Sequence, residues 1–165
     1  MKTHRIDVWL QPVADEFQGE YVADYAQRLP WLTGFSGSAG TGAFWGEMGK
    51  KHALFVDGRY ILQAPNEVDN QAIDVLNIGD ISITDWLLKS SAVLRVGFDP
   101  WLHTAQQVAR WQKVAVGTKI EFVPVTPNVV DEAWKDQPAP PKGAVRLHPL
   151  ALAGHATADK IINIQ

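Results

Sequence analysis

Six short apolar runs constrain this chain more than any other feature. They are Ile6 to Leu10, Thr41 to Trp45, Ala53 to Val56, Ile73 to Asn77, Arg95 to Phe98 and Ile120 to Val123, each bounded by Gly, Pro, Asp or Asn. Runs this short and this apolar read as strands buried on both faces. Amphipathic segments lie between them, so the pattern predicts an α/β domain with one six-stranded sheet covered by helices. Between Trp45 and Ala53 the polar stretch Gly46-Glu47-Met48-Gly49-Lys50-Lys51 reads as a hairpin loop, which makes the sheet mixed.

Four helices are predicted around that sheet. Thr104-Ala105-Gln106-Gln107 has the form of a capping box, followed by Val108, Trp111, Val114 and Ala115 at helical spacing and by Gly117 as a stop. A second helix is expected from Ser82 to Ser90 with Trp86, Leu87 and Leu88 on the sheet. A third is expected from Glu20 to Leu29, carrying Tyr21, Val22, Tyr25 and Leu29 and ended by Pro30. A fourth runs from Arg59 towards Val68, where Pro65 must kink it or split off its first turns.

The boundary falls after residue 136. Residues 1–136 form the predicted domain. Residues 137–165 begin with a proline-rich, extended stretch, continue through a possible edge strand at Ala144 to His148, and end in a helix starting near Thr157 that stops within two turns. Such an ending is expected of a piece of a longer polypeptide.

Composition excludes several classes of function. The chain has 165 residues, 46% hydrophobic and 20% charged, enough to bury roughly 70% of its extended surface around one core. Its 15 Lys and Arg stand against 18 Asp and Glu and are scattered along the chain, so no nucleic-acid or anionic-lipid partner is expected. No run approaches the roughly 18 apolar residues of a membrane span, and the amino terminus is not a signal peptide, so a soluble chain is expected. The absence of cysteine rules out thiol chemistry and fits a cytoplasmic location.

No catalytic motif survives inspection. In Gly34-Phe35-Ser36-Gly37-Ser38-Ala39-Gly40-Thr41-Gly42 the glycines suggest a phosphate cradle, but Ala43 and Phe44 stand where a P-loop needs Lys and Ser or Thr. The dinucleotide fingerprint fails because a strand follows, and Ser36 lacks the second glycine of a nucleophile elbow. A small-residue turn is the plainer reading. The histidines His4, His52, His103, His148 and His155 show no metal-binding spacing; His148 and His155 allow a chance site but read better as linker residues. Asp57, Asp74, Asp80, Asp85 and Asp99 lie where carboxylates cap helices and close turns.

Two features rise above this background. In Val56-Asp57-Gly58-Arg59-Tyr60 the guanidinium can meet a substrate carboxylate or an acidic partner; the commoner outcome is an internal pair with Asp57 or another acid. Of seven tryptophans, Trp31 and Trp101 fall in expected loops and are candidates for an exposed docking patch.

Five blocks occur in order: Gln18-Gly19-Glu20-Tyr21, Arg28 to Gly40, Val56 to Tyr60 with Gln63-Ala64, Gly97-Phe98-Asp99-Pro100, and Asn128-Val129-Val130-Asp131 with Trp134. Together they resemble the amino-terminal domain of Xaa-Pro aminopeptidases, of the creatinase and prolidase superfamily. The resemblance implies a three-layer α/β domain with helices on both faces of a mixed sheet. It also implies that chemistry resides in a carboxy-terminal pita-bread domain of the same polypeptide. There two divalent ions, often manganese, are held by Asp, Asp, His, Glu and Glu, and hydrolyse the bond before proline. By the same resemblance this domain binds no metal and holds no catalytic residue. It contributes to homodimer contacts and roofs the cleft over proline-containing peptides, with Trp31, Phe35, Ser36, Arg59 and Tyr60 as cleft-facing or interface candidates. The alternatives are a stand-alone binding module and the corresponding domain of a prolidase or creatinase. One departure stands out: family members begin with a full helix, whereas only Met1 to Arg5 precede Ile6 here, so one flank of the sheet is expected to be uncovered.

Overall fold

The structure is a computed structural model that describes residues 1–90 and 92–165. All six predicted strands form: β1 (Val8–Pro12), β2 (Thr41–Trp45), β3 (His52–Val56), β4 (Ile73–Asn77), β5 (Leu94–Phe98) and β6 (Ile120–Pro124). They make one sheet in the order β4-β3-β2-β1-β5-β6. β2 is antiparallel to both of its neighbours, β1 and β3, while β3 with β4, β1 with β5 and β5 with β6 are parallel. The sheet is therefore parallel except for β2.

Alternation along the strands sends side chains to two separate cores. Trp9, Leu54 and Val56 pack on one face with Leu29, Phe35, Ala64 and Val130. Val8, Leu10, Ala53 and Phe55 pack on the other with Leu87, Val96 and Trp111. The first face is covered by α1 (Arg28–Thr33), α2 (Ala64–Glu67) and α5 (Val129–Ala133), the second by α3 (Ile83–Leu88) and α4 (Ala105–Ala115). This is the three-layer arrangement expected.

The helix signals hold where capping fixes them. Thr104 Oγ1 accepts the Gln107 N–H at 3.2 Å, although the Gln107 side chain turns to His103 Nδ1 at 3.1 Å instead of closing the box. Gly117 takes φ +76°. Ser82 caps α3 through the Asp85 N–H at 3.1 Å. Pro65 lies in the first turn of α2, after a run of turns from Gly58 to Gln63, so the segment is split as its proline requires.

Four expectations are corrected. Residues 20–29 do not form one helix: Glu20 to Ala23 are irregular, Asp24–Ala26 is a single 3-10 turn, and α1 starts at Arg28 with Pro30 inside it. Proline is accepted there because the first-turn N–H groups have no helical acceptor. Tyr21 is consequently 92% exposed. Trp31 sits in α1 and not in a loop, stacked on Trp134 with ring centroids 5.3 Å apart. Leu88 points away from the sheet. Ala144 to His148 forms no strand and is exposed throughout; with Pro140, Pro141 and Pro149 around it, the segment cannot donate regularly to a sheet. Two short helices follow, α6 (Leu150–Ala153) and α7 (Thr157–Ile164), with no buried residue in either.

One long-range clasp joins α1 to α5. Arg28, almost fully buried, bonds Asp131 through Nε at 2.7 Å and Nη2 at 2.9 Å. Gln137 Nε2 donates at 2.8 Å both to Asp131 Oδ1 and to the Tyr25 carbonyl, and so ties the start of the tail to the domain.

Candidate functional site: the carboxyl edge of the sheet

In an open, mostly parallel sheet, ligands approach beyond the carboxyl ends of the strands, because loops of variable sequence gather there. Here that edge collects the segment Gly34 to Gly40, which enters β2, and the turn Asp57-Gly58-Arg59-Tyr60, which leaves β3. The loop from Ala14 to Ala23 and the β5 exit at Asp99 to His103 lie beside them, joined by Gln18 Nε2 donating to the Leu102 carbonyl at 3.1 Å. Three hollows of about 270, 220 and 170 Å³ surround Ser36 to Thr41; the first two share Val13 and Ser38, the last two Ala39, Gly40 and Thr41.

The glycine-rich segment is built by close approach. Phe35 is fully buried and meets the Tyr60 ring edge-on, with centroids 5.4 Å apart. A Cβ on Gly37 would stand 2.2 Å from Phe35 Cζ and 2.9 Å from Tyr60 Cδ1, so only glycine fits between the two rings. Tyr60 then clamps the loop from outside. Its hydroxyl lies 2.8 Å from Ser38 Oγ and accepts the Ser38 N–H at 3.2 Å, and these bonds hold the phenol below its usual range.

Ser36 is clamped in the same way. Its N–H donates to Glu67 Oε2 and its Oγ to Glu67 Oε1, both at 2.8 Å. Gln63 Nε2 bridges the pair, 2.9 Å from Glu67 Oε1 and 3.1 Å from Ser36 Oγ. The Ser36 N–H foremost, then Gln63, depresses the Glu67 carboxyl, which weakens it as a base. Ser36 thus serves as an anchored turn residue, with no histidine or lysine among its bonded partners.

Arg59 pairs with Asp57, Nη2 to Oδ2 at 2.7 Å and Nε to Oδ1 at 3.0 Å, which keeps the Asp57 carboxyl below its ordinary range. Its guanidinium lies 5.2 Å from the Tyr60 ring centroid. Nη1 has no partner among the described residues, and the side chain is 62% exposed. The structure therefore brings Phe35, Ser36, Arg59 and Tyr60 together around one loop, and leaves Trp31 apart, in α1. Trp101 is 71% exposed at the same edge. Sequence reasoning missed Glu67 and Gln63 as partners of Ser36; the only signal was the Gln63-Ala64 block.

Among the described residues no group of three or more His, Cys, Asp or Glu is placed to hold a metal ion.

The profile of the creatinase/prolidase N-terminal domain matches residues 5–133. The chain belongs to that family. Creatinase/prolidase N-terminal domains of solved structure share its architecture. X-prolyl aminopeptidase of Caenorhabditis elegans, described as a cytosolic enzyme with a di-nuclear active site, superposes with a TM-score of 0.85 at 30% identity, over 96% of this chain and 26% of that one. The amino-terminal domain of a cytoplasmic peptidase of Mycobacterium tuberculosis matches in fold, with a TM-score of 0.59 at 19% identity, over 79% of this chain and 89% of that one. A probable Xaa-Pro aminopeptidase P of Aspergillus flavus is 36% identical over the whole chain, which covers 25% of it. Aminopeptidase P2 of Arabidopsis thaliana is 34% identical over 97% of the chain and 23% of its own length. This creatinase/prolidase N-terminal domain therefore spans about a quarter of the curated relatives it matches. No helix among the described residues is long and apolar enough to cross a membrane.

Proposed function

We propose that this chain is the non-catalytic amino-terminal domain of a cytoplasmic, metal-dependent Xaa-Pro aminopeptidase, and that its carboxyl edge roofs the cleft in which the parent enzyme cleaves the bond before proline. The observation that carries this reading is similarity over the whole of this chain to Xaa-Pro aminopeptidases of about four times its length. The metal ions, manganese by family resemblance, belong in this reading to the rest of the polypeptide, where they activate water. Residues 1–136 act as the folded domain and 137–165 as the passage towards the catalytic part.

Within that scheme Arg59, Tyr60 and Ser36 form the surface towards the cleft or a neighbouring subunit of a homodimer. Phe35 supports them from beneath, and Trp31 provides a separate contact. Arg59 is the best placed to touch a peptide or a facing subunit, since Asp57 fixes its direction while Nη1 stays open. The second reading, a binding module of the same fold in a prolidase, a creatinase or a free-standing protein, keeps the edge and changes its partner.

The test is Arg59→Ala in the complete polypeptide. A raised KM for a Xaa-Pro peptide, or a changed oligomeric state, at unchanged metal content is the expected result. Unaltered kinetics and assembly reduce Arg59 to a structural residue. Hydrolysis of a Xaa-Pro peptide by the 165-residue chain alone with manganese, free of contaminating peptidase, overturns the division of labour.

A further inference from the structure

The opposite, amino edge of the sheet carries a feature that the proposed function does not use. Two non-glycine residues adopt positive φ, Gln18 at +55° and Arg5 at +52°. Residues other than Gly, Asn and Asp occupy this region at a cost, so each calls for a compensating reason. For Gln18 the reason is visible, because its side-chain amide bonds both the Asp15 and the Leu102 carbonyls at 3.1 Å. Arg5 has no such bond: its guanidinium, like the Lys2 ammonium, has no partner among the described residues.

What Arg5 does have is a place on a hollow. A cavity of about 590 Å³ is lined by Lys2, Arg5, Ile6, Trp45, Lys50 and Val93, among others. Ile6, Trp45 and Val93 give the hollow an apolar wall, and the cations Lys2, Arg5 and Lys50 stand around it with the acids Asp7 and Glu47. Lys50 Nζ lies 4.3 Å from the Trp45 ring centroid, its charge shared with Glu47 at 2.8 Å. Asp7, the other acid of the lining, is held by its Oδ2 accepting the Arg95 N–H at 2.8 Å. A second hollow of about 420 Å³ lies across the 46–51 hairpin and shares Trp45, Gly46, Glu47 and Lys50 with the first. The turn that carries Arg5 is fixed on both sides, by His4 on Glu132 at 3.0 Å and by the buried Ile6. Folding thus sets the amino-terminal turn that carries Lys2 and Arg5 beside the apolar hollow.

We propose that this amino edge is a docking surface for an acidic polypeptide segment bearing a bulky apolar residue. The carboxylates meet Lys2 and Arg5, and the apolar side chain enters between Trp45 and Val93. The backbone N–H groups of His4, Arg5, Ile6 and Asp7 are all spent on backbone carbonyls, so none converges on a bound anion beside Lys2 and Arg5. Two unfocused cations beside an apolar wall suit the successive carboxylates of a peptide better than one compact anion.

The test uses the 15N-labelled 165-residue chain and the blocked peptide Glu-Asp-Phe-Glu-Asp, with Gln-Asn-Phe-Gln-Asn and sodium citrate as comparators. Expected are saturable amide shifts confined to residues 2–7, 45–50 and 92–95, weakened about tenfold when the salt is raised to about 0.5 M. The uncharged peptide gives none. Arg5→Gly removes the charge where glycine suits the backbone, so its Tm is retained or raised while the acidic peptide binds about fivefold more weakly. Lys2→Gln, at an exposed side chain with ordinary backbone, gives an independent reading of the charge. Unchanged affinity in both variants, shifts at the carboxyl edge instead, or an equal response to citrate overturns the proposal.

Discussion

The Arg28 guanidinium and the Asp131 carboxylate form a two-pronged pair, at 2.7 and 2.9 Å, that fastens α1 to α5. Arg28 Nη1 lies buried beside it with no hydrogen-bond partner among the described residues, so Asp131 carries the side-chain hydrogen bonds of the cation, with Asp99 and Glu16 acting on it only at longer range. Asp131→Asn should therefore lower stability by about 2 kcal/mol, less than for a wholly buried pair because the Asp131 side chain keeps 28% of its exposure. Urea unfolding measures it, and the apolar double change Arg28→Met with Asp131→Leu should lose less than Asp131→Asn alone.

Gly37 is held by contact and not by backbone handedness, since its φ lies outside the left-handed region. Gly37→Val must displace Phe35 and Tyr60, and about 1 to 3 kcal/mol of destabilisation is expected from overpacking. Gly143→Val, in open space, should leave Tm unchanged. Equal Tm values for the two variants would remove the close-approach explanation.

The phenols should titrate far apart. The Tyr25 hydroxyl donates to Glu16 Oε1 at 2.6 Å and is pushed up to about 12, whereas Ser38 draws Tyr60 down. Titration followed by ring-carbon NMR should show Tyr60 ionising before Tyr25. Ser38→Ala should move Tyr60 back towards about 10, and Glu16→Gln should lower Tyr25. Coincident titrations would contradict the hydrogen bonds described.

Two histidines make the fold sensitive to acid. Burial lowers the pKa of His103, against the smaller pull of Gln107 and Asp99, and burial also lowers that of His52, whose Nδ1 accepts the Trp45 N–H at 3.1 Å. The unfolded chain then binds more protons than the folded one below the ordinary value. Stability is full above about pH 6.5 and falls as pH drops through that value towards the depressed folded pKa values. His103→Leu should flatten the decline in denaturant midpoint, and adding His52→Asn should flatten it further. A slope unchanged in both variants would place the acid sensitivity elsewhere.

The sheet was legible because each strand is a short apolar run with a breaker on either side, and burial on both faces demands that composition. The cap at Thr104 was equally local, a hydroxyl reaching three residues along the chain, whereas the short helix that Asn128 caps through the Val130 N–H was not expected from the sequence. Residues 20–29 misled because Tyr21, Val22, Tyr25 and Leu29 have helical spacing. The segment is shaped instead by the loop before it, where Asp15 Oδ1 accepts the N–H groups of Phe17 and Gly19. The motif residues Ser36, Arg59 and Tyr60 stood out in the sequence, and Arg59 met the expected Asp57 two positions away. The partners Glu67 for Ser36 and Ser38 for Tyr60 are set by how α2 and the 58–63 turns pack, and no local pattern encodes that.

The antiparallel β2 has a consequence for how the domain divides. From β4 to β1 the strands are neighbours in reverse chain order, and β5 and β6 are neighbours too, so every pairing but one joins strands adjacent along the chain. The exception is β1 with β5, where Val8 lies opposite Val96. Closing that seam means bringing the first strand to one formed after most of the other elements, the slowest kind of contact for a chain to find. A nick between β4 and β5 would part the domain into a four-stranded and a two-stranded piece that meet at the β1–β5 main-chain hydrogen bonds, the Arg28–Asp131 clasp and the Trp31–Trp134 stack.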